Sequence, residues 1–175
     1  VVNDNEEVEA LLEQWREPLG RDFPAYRNHV YRVINLSALQ RELSDTELRQ
    51  VIIAACFHDI AIWLDDTFDY LSPSRHHASA YLQRHGLDEW SGVVGEMIEQ
   101  HHKITSYQAN ELVECFRRAD WCDVTLGVMR SGIEKHHVRT IRKRFPNAGF
   151  HTFLLRRTLR ELVTRPWRPL PMMRW

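Results

Sequence analysis

An all-α fold is predicted by three observations. Apolar residues recur three and four positions apart along nearly the whole chain, no segment sustains the alternation of a strand, and turn signals delimit seven or eight helices. At 175 residues and 43% hydrophobic content, a single domain over residues 1–164 can bury its own core, leaving a Pro/Arg/Trp tail over 165–175. The first helix is expected over about residues 4–15, ahead of Pro18, and the second over about 24–43, carrying His29, Val30, Val33 and Ile34. Ser44-Asp45-Thr46-Glu47 then has capping-box spacing, in which the Ser and Glu side chains satisfy each other's free backbone N–H groups. The helix it starts runs through the apolar stretch 51–57 and delivers His58-Asp59. Residues 63–73 mix carboxylates with aromatics and lack periodicity, so they read as a loop. A helix over 73–85 is ended by Gly86, and Asp88 opens another that reaches His101-His102-Lys103. A long helix over about 110–129 contains Asp120 and Asp123. Ser131-Gly132-Ile133-Glu134 repeats the capping-box spacing ahead of a basic helix that ends near Pro146 and Gly149, and the last helix covers about 150–164. Pro166, Pro169 and Pro171 keep the tail out of a helix and point to an extended segment packed over the domain or a partner.

Composition excludes several classes of protein. The longest apolar stretches fall well short of the ~20 residues that cross a bilayer, and the acidic start Asn3-Asp4-Asn5-Glu6-Glu7 is no signal peptide. A soluble cytoplasmic protein without a membrane partner is the expectation. Cys56, Cys115 and Cys122 are odd in number, lack CxxC spacing and sit in apolar helical contexts, which suits buried reduced thiols and not a Cys-rich zinc site. Net charge is −1, but the charges are polarised: residues 1–129 hold 11 Lys+Arg against 22 Asp+Glu, and residues 130–175 hold 12 against 2. The basic quarter could capture an anionic substrate or nucleic acid. The plainer reading is that it docks on the acidic half or on a second subunit, because no aromatic stacking pattern is interleaved with its charges. Nucleic acid is therefore not expected as a partner, while the charge polarity and the tail are compatible with a homodimer.

Four residues from three stretches, His29, His58-Asp59 and Asp120, can be read as one divalent-metal site. A His-Asp dipeptide alone means little, since a chain of this composition yields roughly 0.6 by chance. Its weight comes from the buried helix that it closes and from the partners before and after it. Two imidazoles and two carboxylates form a hard-to-borderline ligand set without thiolate, suited to Mn, Mg, Fe, Co, Ni or Zn. Open positions on such an ion would admit water and a substrate oxygen. Taken singly, His29 could instead hydrogen-bond within the core, and Asp120 could pair with Arg117 or Arg118.

The stretches Tyr26-Arg27-Asn28-His29-Val30, Cys56-Phe57-His58-Asp59-Ile60 and Arg118-Ala119-Asp120-Trp121-Cys122-Asp123 together resemble the HD superfamily of metal-dependent phosphohydrolases. That pattern is a His, a later His-Asp pair closing a helix, and a distant Asp. The resemblance covers roughly residues 24–130 and, through Phe57-His58-Asp59-Ile60-Ala61-Ile62-Trp63 and Thr67-Phe68-Asp69-Tyr70-Leu71, looks like a branch of predicted HD hydrolases. It implies a helical bundle, ligation by His29, His58, Asp59 and Asp120, and a phosphohydrolase acting on a nucleotide or other small phosphoester. Two-metal members add histidines from the next helices, for which His76 or His77 and His101 or His102 are the candidates. His101 and His102 are the better supported, by the spacing of Ile98-Glu99-Gln100-His101.

His101, His102 and Lys103 are expected as a cationic cluster that stabilises developing negative charge or protonates a leaving oxygen, with Asp59 ligating and, given two ions, bridging. Asp65, Asp66 and Asp69 could orient His58 or be merely solvated. His85, His136, His137 and His151 are expected at the surface. Trp63, Phe68, Tyr70 and Trp121 could stack on a base or fill the core, and core filling suits Trp121. Two alternatives stay open: a di-iron oxygenase with the full six-ligand set, and a non-catalytic binding module.

Overall fold

Capping and apolar spacing divide the chain into eight helices of at least eight residues and two of a single turn, and the described residues contain no strand. In the computed structural model these are α1 (Glu6–Glu13), α2 (Arg16–Leu19), α3 (Phe23–Ala38), α4 (Asp45–Phe57), α5 (Ala61–Leu64), α6 (Leu71–Arg84), α7 (Ser91–Gln100), α8 (Glu111–Val124), α9 (Lys135–Arg144) and α10 (Phe150–Thr164). The structure describes residues 1–167 and 170–173. The part of the expected tail at Arg168, Pro169, Arg174 and Trp175 lies outside the described residues.

The Ser44 hydroxyl accepts from the Glu47 N–H at 3.3 Å, and the Glu47 carboxylate accepts from the Ser44 N–H at 2.9 Å. This fixes the start of α4, whose apolar run from Val51 to Phe57 is buried throughout. Ser44→Ala is expected to lower stability by about 1 kcal/mol; an unchanged urea midpoint would show the cap to be idle. α3 packs most extensively on α8, α4 lies against α3 and α7, and α7 rests on both α6 and α8. α3 is thus central, with Tyr26, Val30, Tyr31, Val33, Ile34 and Leu36 all fully buried.

Several ends differ from their sequence expectation, each for a local reason. α3 stops at Ala38, not near 43, because Gln40 closes a turn onto the Ser37 carbonyl and its side chain donates to the Cys115 carbonyl at 2.7 Å. α8 stops at Val124, not 129. Thr125 Oγ1 donates to the Trp121 carbonyl and accepts the Met129 N–H, while Leu126 and Gly127 turn left-handed at φ 58° and 80°. Gly127 is required there: a Cβ would lie 2.9 Å from Val138 Cγ1, where the turn passes under α9. The second capping-box spacing is not used. Ser131 is left-handed at φ 47°, and Glu134 is the N-cap of α9 without a side-chain bond. The expected loop over 63–73 is shorter than its composition suggests, because α6 begins at Leu71 with Pro73 in its first turn, where the missing N–H costs nothing. Beyond Arg165 the described tail turns rather than running extended, closing Met173 N–H onto the Leu170 carbonyl and burying Met172 beside Phe68 and Tyr70.

Part of the basic quarter docks on the acidic half of the same chain. Arg157 meets Asp66 at 2.7 Å, Arg142 meets Asp123 at 3.4 Å and Arg144 meets Asp4 at 3.6 Å. Cys56, Cys115 and Cys122 are buried and unpaired. No helix among the described residues is long and apolar enough to cross a membrane.

Candidate metal centre

The packing of α3, α4, α7 and α8 brings six residues of the expected site together. His29 projects from α3, His58 and Asp59 follow the last turn of α4, His101 and His102 follow α7, and Asp120 belongs to α8. His29, His58 and His101 are fully buried, Asp120 and Asp59 nearly so. His29 Nε2 lies 2.9 Å from His58 Nε2, 3.6 Å from Asp59 Oδ2 and 3.5 Å from Asp120 Oδ1. His58 Nε2 is 3.3 Å from Asp59 Oδ2, and His101 Nε2 is 3.5 Å from Asp59 Oδ1. Ligand atoms held about 2.1 Å from one ion lie roughly 3.0–3.4 Å apart in octahedral or tetrahedral arrangement, and most of these separations fall in or just beyond that range. Three overlapping groups could hold a metal ion: His29/His58/Asp120, His58/Asp59/His101 and His101/His102/Asp120.

Hydrogen bonding prepares the imidazoles for that role. Nδ1–H of His29 donates to Asp123 at 2.7 Å, that of His58 to the Ala55 carbonyl at 2.8 Å, and that of His101 to the Ile98 carbonyl at 2.7 Å. With Nδ1 committed as donor, Nε2 of each neutral ring presents a lone pair inward. Two lone pairs 2.9 Å apart repel, so His29 and His58 need a cation between them, either a proton or a metal ion. Asp59 Oδ1, both Asp120 carboxylate oxygens and His101 Nε2 are buried with no hydrogen-bond partner. Such orphaned groups are costly in a native interior unless something binds them. A divalent ion therefore fits the donor set present.

Titration follows from the same contacts. Burial opposes charge on His29, yet Asp123 and Asp59 outweigh it and raise its pKa to about 9. Asp59 is held well below the usual carboxylate range: burial pushes it up, but the charge of His58 and the close approach of the His101 and His29 rings prevail. Asp120 moves the other way, raised by burial that the surrounding histidines do not overcome. His102 is lowered by burial and by the neighbouring His101, which keeps it neutral. It shares a 2.6 Å hydrogen bond with the Tyr70 hydroxyl. Of the cluster expected at His101-His102-Lys103, His102 is thus the member that burial and His101 push toward the neutral form. Lys103 is half-buried in the turn after α7, and its carbonyl accepts from Arg117 and from Trp121 Nε1.

His77 stands outside the three groups. On α6 its Nε2 meets Asp65 at 2.7 Å, with the side chain one-third exposed, and His76 is exposed. Expected as a possible second-metal ligand, His77 is not among the groups that come together, and its Nε2 meets a loop carboxylate instead. Asp65 and Asp66 hold His77 and Arg157, not His58. The alternative pairing of Asp120 with Arg117 or Arg118 does not occur either, since both arginines bind Glu114, drawn down to about 2 against its burial. His151, expected at the surface, is half-buried and donates to the Val124 carbonyl at 3.1 Å. Trp121 is not core but half-buried.

Asp123 and Arg32 are the principal residues that sequence reasoning missed. Arg32 is fully buried and binds Asp123 through Nε at 2.6 Å and Nη2 at 2.9 Å, so the carboxylate that orients His29 is itself clamped. Asp123 lies far below the usual range: burial works against this, but His29 and Arg32 hold the charge. An arginine inside the apolar run Val30-Tyr31-Arg32-Val33-Ile34, with an aspartate three positions after Asp120, was the available signal. Phe150, the first residue of α10, stacks on the His29 ring at 4.0 Å and 18°.

Comparison with protein families, curated proteins and solved structures finds no match. Fold and site together define an all-helical protein with a buried His/Asp cluster that could hold a divalent metal ion.

Proposed function

We propose that this protein is an HD-type metal-dependent phosphohydrolase. The observation that carries the reading is the set of unpartnered buried donor atoms on Asp59, Asp120 and His101, facing the paired Nε2 atoms of His29 and His58. In this reading His29, His58, Asp59 and Asp120 hold the ion, and His101 extends the set toward a second position. A bound divalent ion would lower the pKa of a ligated water and polarise a phosphoryl oxygen. Asp123 keeps His29 in the ligating tautomer. The neutral His102, bonded to Tyr70, can accept a proton from an attacking water or pass one to a departing oxygen. The oxygenase alternative asks for six ligands, and His77 is engaged by Asp65.

The test is metal analysis of protein purified without chelator, paired with a phosphoester panel in Mn, Mg, Co and Ni. Retention of roughly one equivalent or more of divalent ion, with metal-dependent phosphate release, is expected. No retained ion and no release with any metal sinks the reading. Two tightly held irons without phosphate release would favour the oxygenase.

A further inference from the structure

A cleft of about 190 Å³ opens beside the centre, with His102 and Asp120 in its wall. Most of the remaining lining is apolar or aromatic, including Phe68, Tyr70, Trp121, Leu154 and Met172, and no Lys or Arg among the described residues lines it. Such a wall suits a hydrocarbon group far better than the charged sugar-phosphate of a nucleotide.

The apolar lining continues outward along α10. Leu154 and Thr158 line the cleft, and the helical positions beside them, Leu155, Leu159, Leu162 and Val163, turn to solvent with 59, 52, 45 and 83% exposure. Leu170 both lines the cleft and is exposed. Arg156 and Arg160 are exposed along one flank of this stripe, and Trp167 is 82% exposed just past its end. α10 buries only Phe150 fully, and an exposed apolar stripe of this length marks a contact surface. Leu and Val outward, arginines alongside and a Trp at the end is the pattern of a helix lying in a lipid interface, where guanidinium groups meet headgroup phosphates. Antiparallel pairing of two α10 stripes across a two-fold axis would bring their arginine flanks to the same side, which disfavours that contact with a second copy.

We propose that the substrate is the phosphoester of a long-chain lipid, taken from an anionic bilayer on which the outward face of α10 sits. The inference rests on the phosphohydrolase reading for its chemistry, and on the cleft and stripe for the lipid. The oxygen of water bonds to phosphorus, the bond from phosphorus to the lipid oxygen breaks, and that oxygen takes up a proton, giving inorganic phosphate and the lipid alcohol. Docking at the interface needs no spanning helix.

The experiment sediments the protein with vesicles of phosphatidylcholine containing phosphatidylglycerol and with vesicles of phosphatidylcholine alone. The protein is expected to pellet with the first and stay largely in solution with the second. Leu155→Ser with Leu159→Ser, both at exposed positions, is expected to weaken vesicle binding at least about tenfold while leaving helicity and metal content unchanged. Mn-loaded protein is then given phosphatidate in the anionic vesicles and glycerol phosphate in solution. Faster release from phosphatidate, lost in the double variant, supports the inference. A protein that stays in solution with anionic vesicles overturns it, as does a dimer that the double variant splits without any vesicle binding. Equal release from both substrates overturns the lipid assignment and leaves the hydrolase reading standing. Release from neither substrate overturns the lipid assignment and leaves the hydrolase reading to the phosphoester panel in Mn, Mg, Co and Ni.

Discussion

Asp120→Asn is expected to strip the protein of its ion and leave the fold standing. Both Asp120 oxygens are buried without a hydrogen-bond partner, and burial raises the pKa of the group, so the ion-free chain gains little from the negative charge. Removing that charge is expected to change the stability of the ion-free chain by less than about 1 kcal/mol, or to raise it, because a buried unpaired carboxylate is itself a cost. Metal affinity is expected to fall by at least about 100-fold, since loss of an orienting partner alone costs 10–100-fold. Dialysis followed by metal analysis, and urea unfolding of the ion-free variant, test the two halves separately. An ion held at wild-type affinity would remove Asp120 from the ligand set. Affinity in the wild type carries a pH signature as well. His29, with its pKa raised to about 9, must lose a proton to ligate, so affinity is expected to climb toward pH 9 by up to about tenfold per unit. The stability of the ion-free chain runs in the opposite direction: the contribution of protonated His29 is complete below its unfolded value of about 6.5 and is lost as pH rises through about 9. An affinity that stays flat between neutrality and pH 9 would contradict the assignment of His29.

Arg32→Met, by contrast, is expected to unfold the protein easily. It leaves Asp123 charged and buried with only His29 and the more distant Arg142 against it, and breaking a buried pair from one side costs about 3–5 kcal/mol. Arg142 compensates only in part, at 3.4 Å and with a side chain one-quarter exposed. The double variant Arg32→Met, Asp123→Leu is expected to recover part of the loss, because no lone charge remains inside. Its His29 no longer has an acceptor at Nδ1, so metal affinity is expected to drop about 10–100-fold even where stability returns. Thermal melts of the two variants decide the matter: a double variant no more stable than Arg32→Met would mean that charge pairing is not the cause. Asp120 and Asp123 thus lie three positions apart on α8 with divided tasks, one facing the candidate metal centre and the other paired with Arg32 and His29.

The helical class, the cap at Ser44 and the limits of α10 were legible because each depends on local spacing. So was the convergence of His29, His58, Asp59, Asp120 and His101, since those side chains interrupt or close apolar runs that must face inward. Ends set by tertiary contacts were not legible. α3 stops where Gln40 reaches the Cys115 carbonyl, and α8 stops where Thr125 turns back on Trp121. The Arg32–Asp123 pair was hidden for the same reason: its partners are 91 positions apart, and neither has a local motif. His77 resembled His101 in sequence, each in a His-His pair at a helix boundary, and only packing separates the one bound by a loop carboxylate from the one aimed at the centre.

His29 and Asp123 join points 94 residues apart. An ion ligated by His29 and Asp120 would tie together points nearly as far apart, and because only the folded chain assembles that donor set it would stabilise by mass action. The ion would then serve the polypeptide as a clasp between α3 and α8, and its removal is expected to quicken proteolysis while the chain stays folded.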